Sequence, residues 1–135
     1  MLNFIFVALG GGLALITGTQ AKVPAVGLSA INSMMSRRTF DPELSIEDLN
    51  KYTFNIVPDR DVVPRLDDLA LNYQRIKCRA SVYKSIDCHT ATRSLCEILF
   101  SCGSGNRPVP CFCVNEFGYE EPKRISGSRK FCATE

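Results

Sequence analysis

The chain has 135 residues, of which 45% are hydrophobic and 22% charged, and its formal net charge is +2. That composition supports a packed core and excludes a disordered chain, while the near-neutral charge leaves no footprint for nucleic acid. The one basic cluster, Lys123, Arg124, Arg129 and Lys130, reads as part of a solvated tail.

Residues 1–18 are nearly all apolar or glycine, and no charge occurs before Lys22. Three readings of this stretch stand open. A secretory signal peptide fits the apolar run and the small residues Thr19 and Ala21, but lacks a basic residue near its start. A membrane anchor fits the length, since a span needs about 18 apolar residues. Gly10, Gly11 and Gly12 weigh against a lone spanning helix. The third reading is a buried strand over 3–7, a turn made by the glycines, and a helix reaching Gln20. The glycines form no nucleotide loop, because neither G-x-G-x-x-G nor a glycine–lysine pair occurs.

Further along, 23–29 reads as a strand and 32–42 as a polar loop. Residues 45–50 predict a short helix, with Ser45 as N-cap and Asp48 three residues on. A strand over 53–57 is stopped by Pro58, which cannot donate to a ladder. A loop follows between Pro58 and Pro64, then a helical turn over 66–71 and a strand or surface segment over 73–79. The clearest helix spans 90–102, with Leu95, Ile98, Leu99 and Cys102 on one face and Gly103 closing it. Residues 108–114 read as an apolar extended run, and the last stretch is polar without pattern. The alternation of strands and helices predicts an α/β sheet. So few strands leave bare edges, as in a piece of a larger fold or a chain that pairs with another.

Seven cysteines occur: Cys78, Cys88, Cys96, Cys102, Cys111, Cys113 and Cys132. In a secreted protein they predict a disulfide-stapled C-terminal half, and the odd count leaves at least one free thiol or an intermolecular bond. In a reducing compartment they would be buried thiols. Cys111-Phe112-Cys113 is a C-x-C, not the usual spacing of a zinc site, so a centre built from these cysteines and His89 is a weak alternative.

His89 is the chain's single histidine. Asp61 lies just past the carboxyl end of the 53–57 strand, where ligands bind in open α/β sheets. An acid at a strand end followed by a histidine gives the last two members of a Ser…Asp…His order. The acid fixes the imidazole tautomer, and the imidazole moves the nucleophile's proton. Asp59 is the rival acid. Ser29, Ser33 and Ser36 lack a G-x-S-x-G context, and Cys88, adjacent to His89, would point away from it in an extended loop.

Ala8-Leu9-Gly10-Gly11-Gly12-Leu13 resembles the tail of the nucleophile elbow in class 3 (fungal-type) lipases. Asp61-Val62-Val63-Pro64-Arg65-Leu66 resembles that family's catalytic aspartate motif, and the cysteine-bounded stretch from Cys88-His89-Thr90 onward resembles the end of lipase-like proteins. The resemblance implies a partial α/β-hydrolase fold over 1–120, the C-terminal half of such a domain, followed by a polar tail over 121–135. It implies Asp61 as orienting acid, His89 as general base, and the Leu9 backbone N–H as oxyanion donor. It also implies acylglycerol ester substrates met at a membrane or lipid-droplet surface, with no cofactor, no metal and no nucleic acid.

Three departures accompany it. The nucleophile position is Ala8, preceded by Phe6 and Val7 where the family has glycine and histidine. An alanine methyl cannot attack a carbonyl. The expectation is also that the family's upstream strands and lid, with their oxyanion donor, are missing ahead of the elbow, and the interval from Asp61 to His89 is short. The expectation is therefore a lipase-like chain without esterase activity by itself. The competing expectation is a secreted, disulfide-rich binding or structural module with a cleaved signal peptide. Either favours a secreted or membrane-associated location over the cytoplasm.

Overall fold

The computed structural model describes residues 5–78, 85–102, 109–120 and 132. They form an α/β architecture around a four-stranded, wholly parallel sheet in the order β1-β2-β3-β4. The strands are β1 (Ile5–Val7), β2 (Ala25–Leu28), β3 (Thr53–Pro58) and β4 (Tyr73–Ile76). Val7 stands beside Leu28, Leu28 beside Ile56, and Ile56 beside Gln74. Every strand thus ends at the same edge of the sheet.

Helix α1 (Ala8–Ala21) follows β1 without a loop. Ala8 itself makes the bend, with φ at 55°. The glycines expected to form that turn lie inside the helix instead. Their role is close packing. A Cβ on Gly12 would sit 3.1 Å from the Ile31 carbonyl oxygen, and one on Gly18 only 2.6 Å from the Ala25 Cβ. Leu15 and Ala25 are buried with Ala30 where α1 covers the sheet. The helix closes on Lys22, also left-handed, whose N–H bonds the Thr19 carbonyl while the Val23 N–H bonds that of Gly18. That pairing is the Schellman stop, here without glycine. At 14 residues α1 does not reach a spanning length, and no helix among the described residues is long and apolar enough to cross a membrane.

Helix α2 (Ile46–Tyr52) begins as expected, the Ser45 hydroxyl accepting the Asp48 N–H at 3.0 Å. It runs directly into β3, whose Thr53, Asn55 and Val57 are buried while Phe54 between them is exposed. This alternation marks a sheet covered mainly on one face. The predicted helical turn over 66–71 does not form. A 3₁₀ turn occurs earlier, at Val63–Arg65, where Pro64 presets the backbone. The fourth strand stops at Ile76, and residue 79 of its expected span lies outside the described residues.

The described residues of the C-terminal region are mostly helical. Helix α3 (Ala91–Cys102) carries the predicted amphipathic pattern but buries a different face. Arg93, Ser94, Cys96 and Glu97 are buried, whereas Leu95 and Cys102 are exposed. The covalent and polar partners explain the rotation. Cys96 is bonded to Cys113, and the Glu97 carboxylate accepts the Tyr119 hydroxyl at 2.8 Å. The expected extended run over 108–114 is instead mostly helix α4 (Cys111–Phe117), entered at Pro110 and ended by Gly118 at φ 68°. On a helix, residues two apart face apart. Cys111 accordingly pairs with Cys132 while Cys113 pairs with Cys96. Cys132, which is buried, belongs to the expected polar tail, and the tail's basic cluster lies outside the described residues, as does the Gly103 stop.

Candidate acid–base site

Asp61 sits three residues beyond the end of β3, in a loop whose bend uses Arg60 at φ 69°. Its side chain is fully buried, and its Oδ1 accepts the Val63 N–H at 2.9 Å. The Nδ1 of His89 lies 3.0 Å from Oδ2 and 3.2 Å from Oδ1. A carboxylate only accepts, so at neutral charge the ring proton belongs on Nδ1 and Nε2 carries the lone pair. Nε2 makes no hydrogen bond to any described residue, and 28% of the His89 side chain is exposed. The pair is therefore a buried acid behind an imidazole whose other ring nitrogen is engaged by no described residue.

Two links place the histidine there. His89 ends a 3₁₀ segment, Ser85–His89, that leads into α3. The Cys78–Cys88 disulfide ties that segment to the chain just after β4, and so to the edge where β3 releases Asp61. Cys88, considered as a thiolate partner for His89, has no thiol in this state. The other disulfides occupy Cys96, Cys111, Cys113 and Cys132, which removes the sulfur ligands that the zinc alternative needed. Cys102 is the free cysteine. Asp59 does not take the acid's place: the carboxylate on His89 Nδ1 is that of Asp61, while the Asp59 backbone N–H extends the sheet onto the Ile76 carbonyl.

Ala8 stands at the end of β1, at the same edge as the Asp61 loop. Its left-handed backbone puts a sharp strand-to-helix bend at the position where the resemblance places a nucleophile. The Leu9 N–H lies in the first helical turn, where amides lack intrahelical acceptors. Of the serines set aside in the sequence, Ser29 and Ser33 are buried, and Ser36 donates its hydroxyl to Asp67 at 2.7 Å. Ser29 follows β2 at φ 53°, and its Oγ has no partner among the described residues.

The side chains that brace the acid loop escaped the sequence reading. Asn55 and Asn32, both buried, join β3 to the loop after β2. An asparagine inside a β-rich segment such as Thr53–Pro58 is itself a signal, because strands disfavour it. Asn32 sits in a polar loop and gives no such signal. Asp67 clips the same loop from outside by accepting the Met35 and Ser36 amides. Partial burial pushes its carboxyl pKa up, but bonds from the Met35 amide, the Ser36 hydroxyl and amide, and the Asp68 amide outweigh burial and hold it below the ordinary 3.8.

Elsewhere, a groove of about 490 Å³ runs along α1 toward β2 and is lined by residues such as Gly10, Leu13, Thr17 and Val23. None of its lining residues titrates, so it offers no acid–base chemistry. No family model, curated protein or solved structure matches the chain.

Proposed function

We propose that this chain is a lipase-like α/β-hydrolase unit that keeps the acid–base pair of an ester hydrolase and has lost its nucleophile. The observation that carries the reading is the buried Asp61 carboxylate on Nδ1 of His89. That contact orients the ring with Nε2 as a base and stabilises the imidazolium formed when it accepts a proton. Ala8 supports the assignment by position. Parallel strands lie about 4.8 Å apart, so the ends of β1 and β3 are separated by about 10 Å, with β2 between them. An imidazole hung on the acid of one strand can span that interval toward a side chain on the other. A serine at position 8 would give its proton to Nε2 and attack an acyl carbonyl, and the Leu9 N–H would face the developing oxyanion.

As it stands, the side chain of residue 8 is a methyl group with no nucleophilic oxygen, and the chain by itself is expected not to turn over esters. Its substrate class, by this reading, is acylglycerol esters presented at a lipid surface. The three disulfides favour an oxidising compartment. They equally suit the second reading, a secreted disulfide-rich module. N-terminal sequencing of the secreted protein separates the two: a start at Lys22 would remove β1 and α1, and with them position 8.

Restoring the missing atom tests the proposal. Ala8→Ser should react covalently at residue 8 with a fluorophosphonate probe, and Asp61→Asn in that background should slow labelling by about a hundredfold or more. A folded Ala8→Ser protein that is not labelled there overturns the reading. So does turnover of a p-nitrophenyl acyl ester by the unmodified chain that Asp61→Asn abolishes.

A further inference from the structure

Asp61 is held by its own loop on one side and by His89 on the other, which leaves open what holds the loop. Asn55 answers part of that question. Its Oδ1 accepts the Ala30 N–H at 3.3 Å, and its Nδ2 donates to the Ala30 carbonyl at 3.0 Å and to Asn32 Oδ1 at 2.9 Å. Asn32 then donates from Nδ2 to the Pro64 carbonyl at 2.7 Å. Pro64 is buried and lies in the same short turn whose Val63 N–H meets Asp61. Hydrogen bonds therefore lead from the middle of β3 through the loop after β2 to the Pro64 carbonyl, and the backbone of the Val63–Pro64 turn carries the link on to the Val63 N–H that meets the carboxylate.

We infer that Asn55 and Asn32 are positioning residues for the Asp61–His89 pair, acting through the Pro64 turn. The inference rests on the acid–base reading above. Both side chains are nearly fully buried, at 3% and 5% exposure, so each unmade bond would leave a desolvated polar group. Proline matters at the far end. It has no N–H, so its carbonyl is the one backbone group at that residue that can be grasped. Grasping it fixes the turn that presents Val63 N–H to Asp61. A carboxylate anchored in this way can hold an imidazole in one tautomer, whereas a loose one exchanges partners with water.

Because His89 is the single histidine, its ring nitrogens can be read without overlap by long-range nitrogen–proton correlation NMR. The unmodified chain, above the pH at which the ring is charged, should show the Nδ1–H tautomer. Asn32→Asp removes the donor to Pro64 and keeps an acceptor for Asn55, and Asn32→Ala removes both. Each should move the two nitrogen signals toward one another and speed exchange of the Val63 amide by about tenfold, the change expected from one buried hydrogen bond. Ser45→Ala, which weakens the chain at the α2 cap, should leave both readouts unmoved.

If the Asn32 variants fold and His89 stays locked on Nδ1–H, the relay is wrong and the acid–base reading survives. If the unmodified chain shows the Nε2–H tautomer, the acid–base reading itself fails. Should the variants not fold, the side-chain amide protons of Asn32 and Asn55 in the unmodified chain decide. Slow exchange supports the relay, and exchange at the rate of a solvated amide overturns it.

Discussion

From β1 to β4 the chain is joined by a parallel ladder and by the close approach of α1 to β2, and no disulfide lies within it. From His89 to Cys132 it is joined by two disulfides and a small core of Cys96, Val109, Cys113 and Tyr119. The first region spends sequence on small residues that let backbones approach. The second closes its loops covalently around that small cluster. The candidate site spans the seam, with its acid on the sheet side and its base on the disulfide side, and Cys78–Cys88 stitches the two together. Redox state should thus reach the base before it reaches the acid.

The largest effect should come from breaking that contrast chemically. Replacing Cys96 and Cys113 together by alanine should destabilise the C-terminal region by about 3 kcal/mol, the value typical for a loop of this size. Denaturant unfolding measures the loss, and hydrogen exchange should show the β2 and β3 amides still protected. If those amides lose protection equally, the two regions are one cooperative unit.

On the sheet side, Gly18→Val should cost about 2 kcal/mol, since even its Cβ would stand 2.8 Å from the Val23 carbonyl oxygen and α1 must lift away. A thermal melt checks it. A smaller change of opposite sign is expected at the bend. Ala8→Gly should raise stability by up to about 1 kcal/mol, because glycine adopts the left-handed backbone without a Cβ clash. Destabilisation instead would mean that residue 8 does not hold that conformation in solution.

The smallest effect concerns pH. The Asp67 carboxyl is held below its ordinary pKa, so its contribution is complete above the unfolded value of 3.8 and is lost as pH falls through the lower, folded value. In that acid range the Met35 and Ser36 amides should lose protection relative to their intrinsic exchange rates, and Asp67→Asn should show the lost protection already at neutral pH.

Much of the sheet region was readable because its signals are local. The Ser45 cap needs only its own N–H neighbours, β3 ends at Pro58, which joins the strand rather than standing just outside it, and the β-formers around Val57 alternate within a few residues. Asp61 and His89 could be named because an acid after a strand and a lone histidine are positional features. Other features were settled only by tertiary contacts. Which face α3 buries depends on Cys113 and Tyr119, far along the chain, and outweighs the apolar stripe of Leu95, Ile98 and Leu99. The glycines of α1 look like a turn until Ile31 and Ala25 are seen against them. Composition and order therefore determined the class of fold and singled out Asp61 and His89, the two side chains that the fold brings into contact. The bend at Ala8, the cysteine pairing and the asparagine relay were decided by packing, because each depends on groups that sequence separation keeps out of local view.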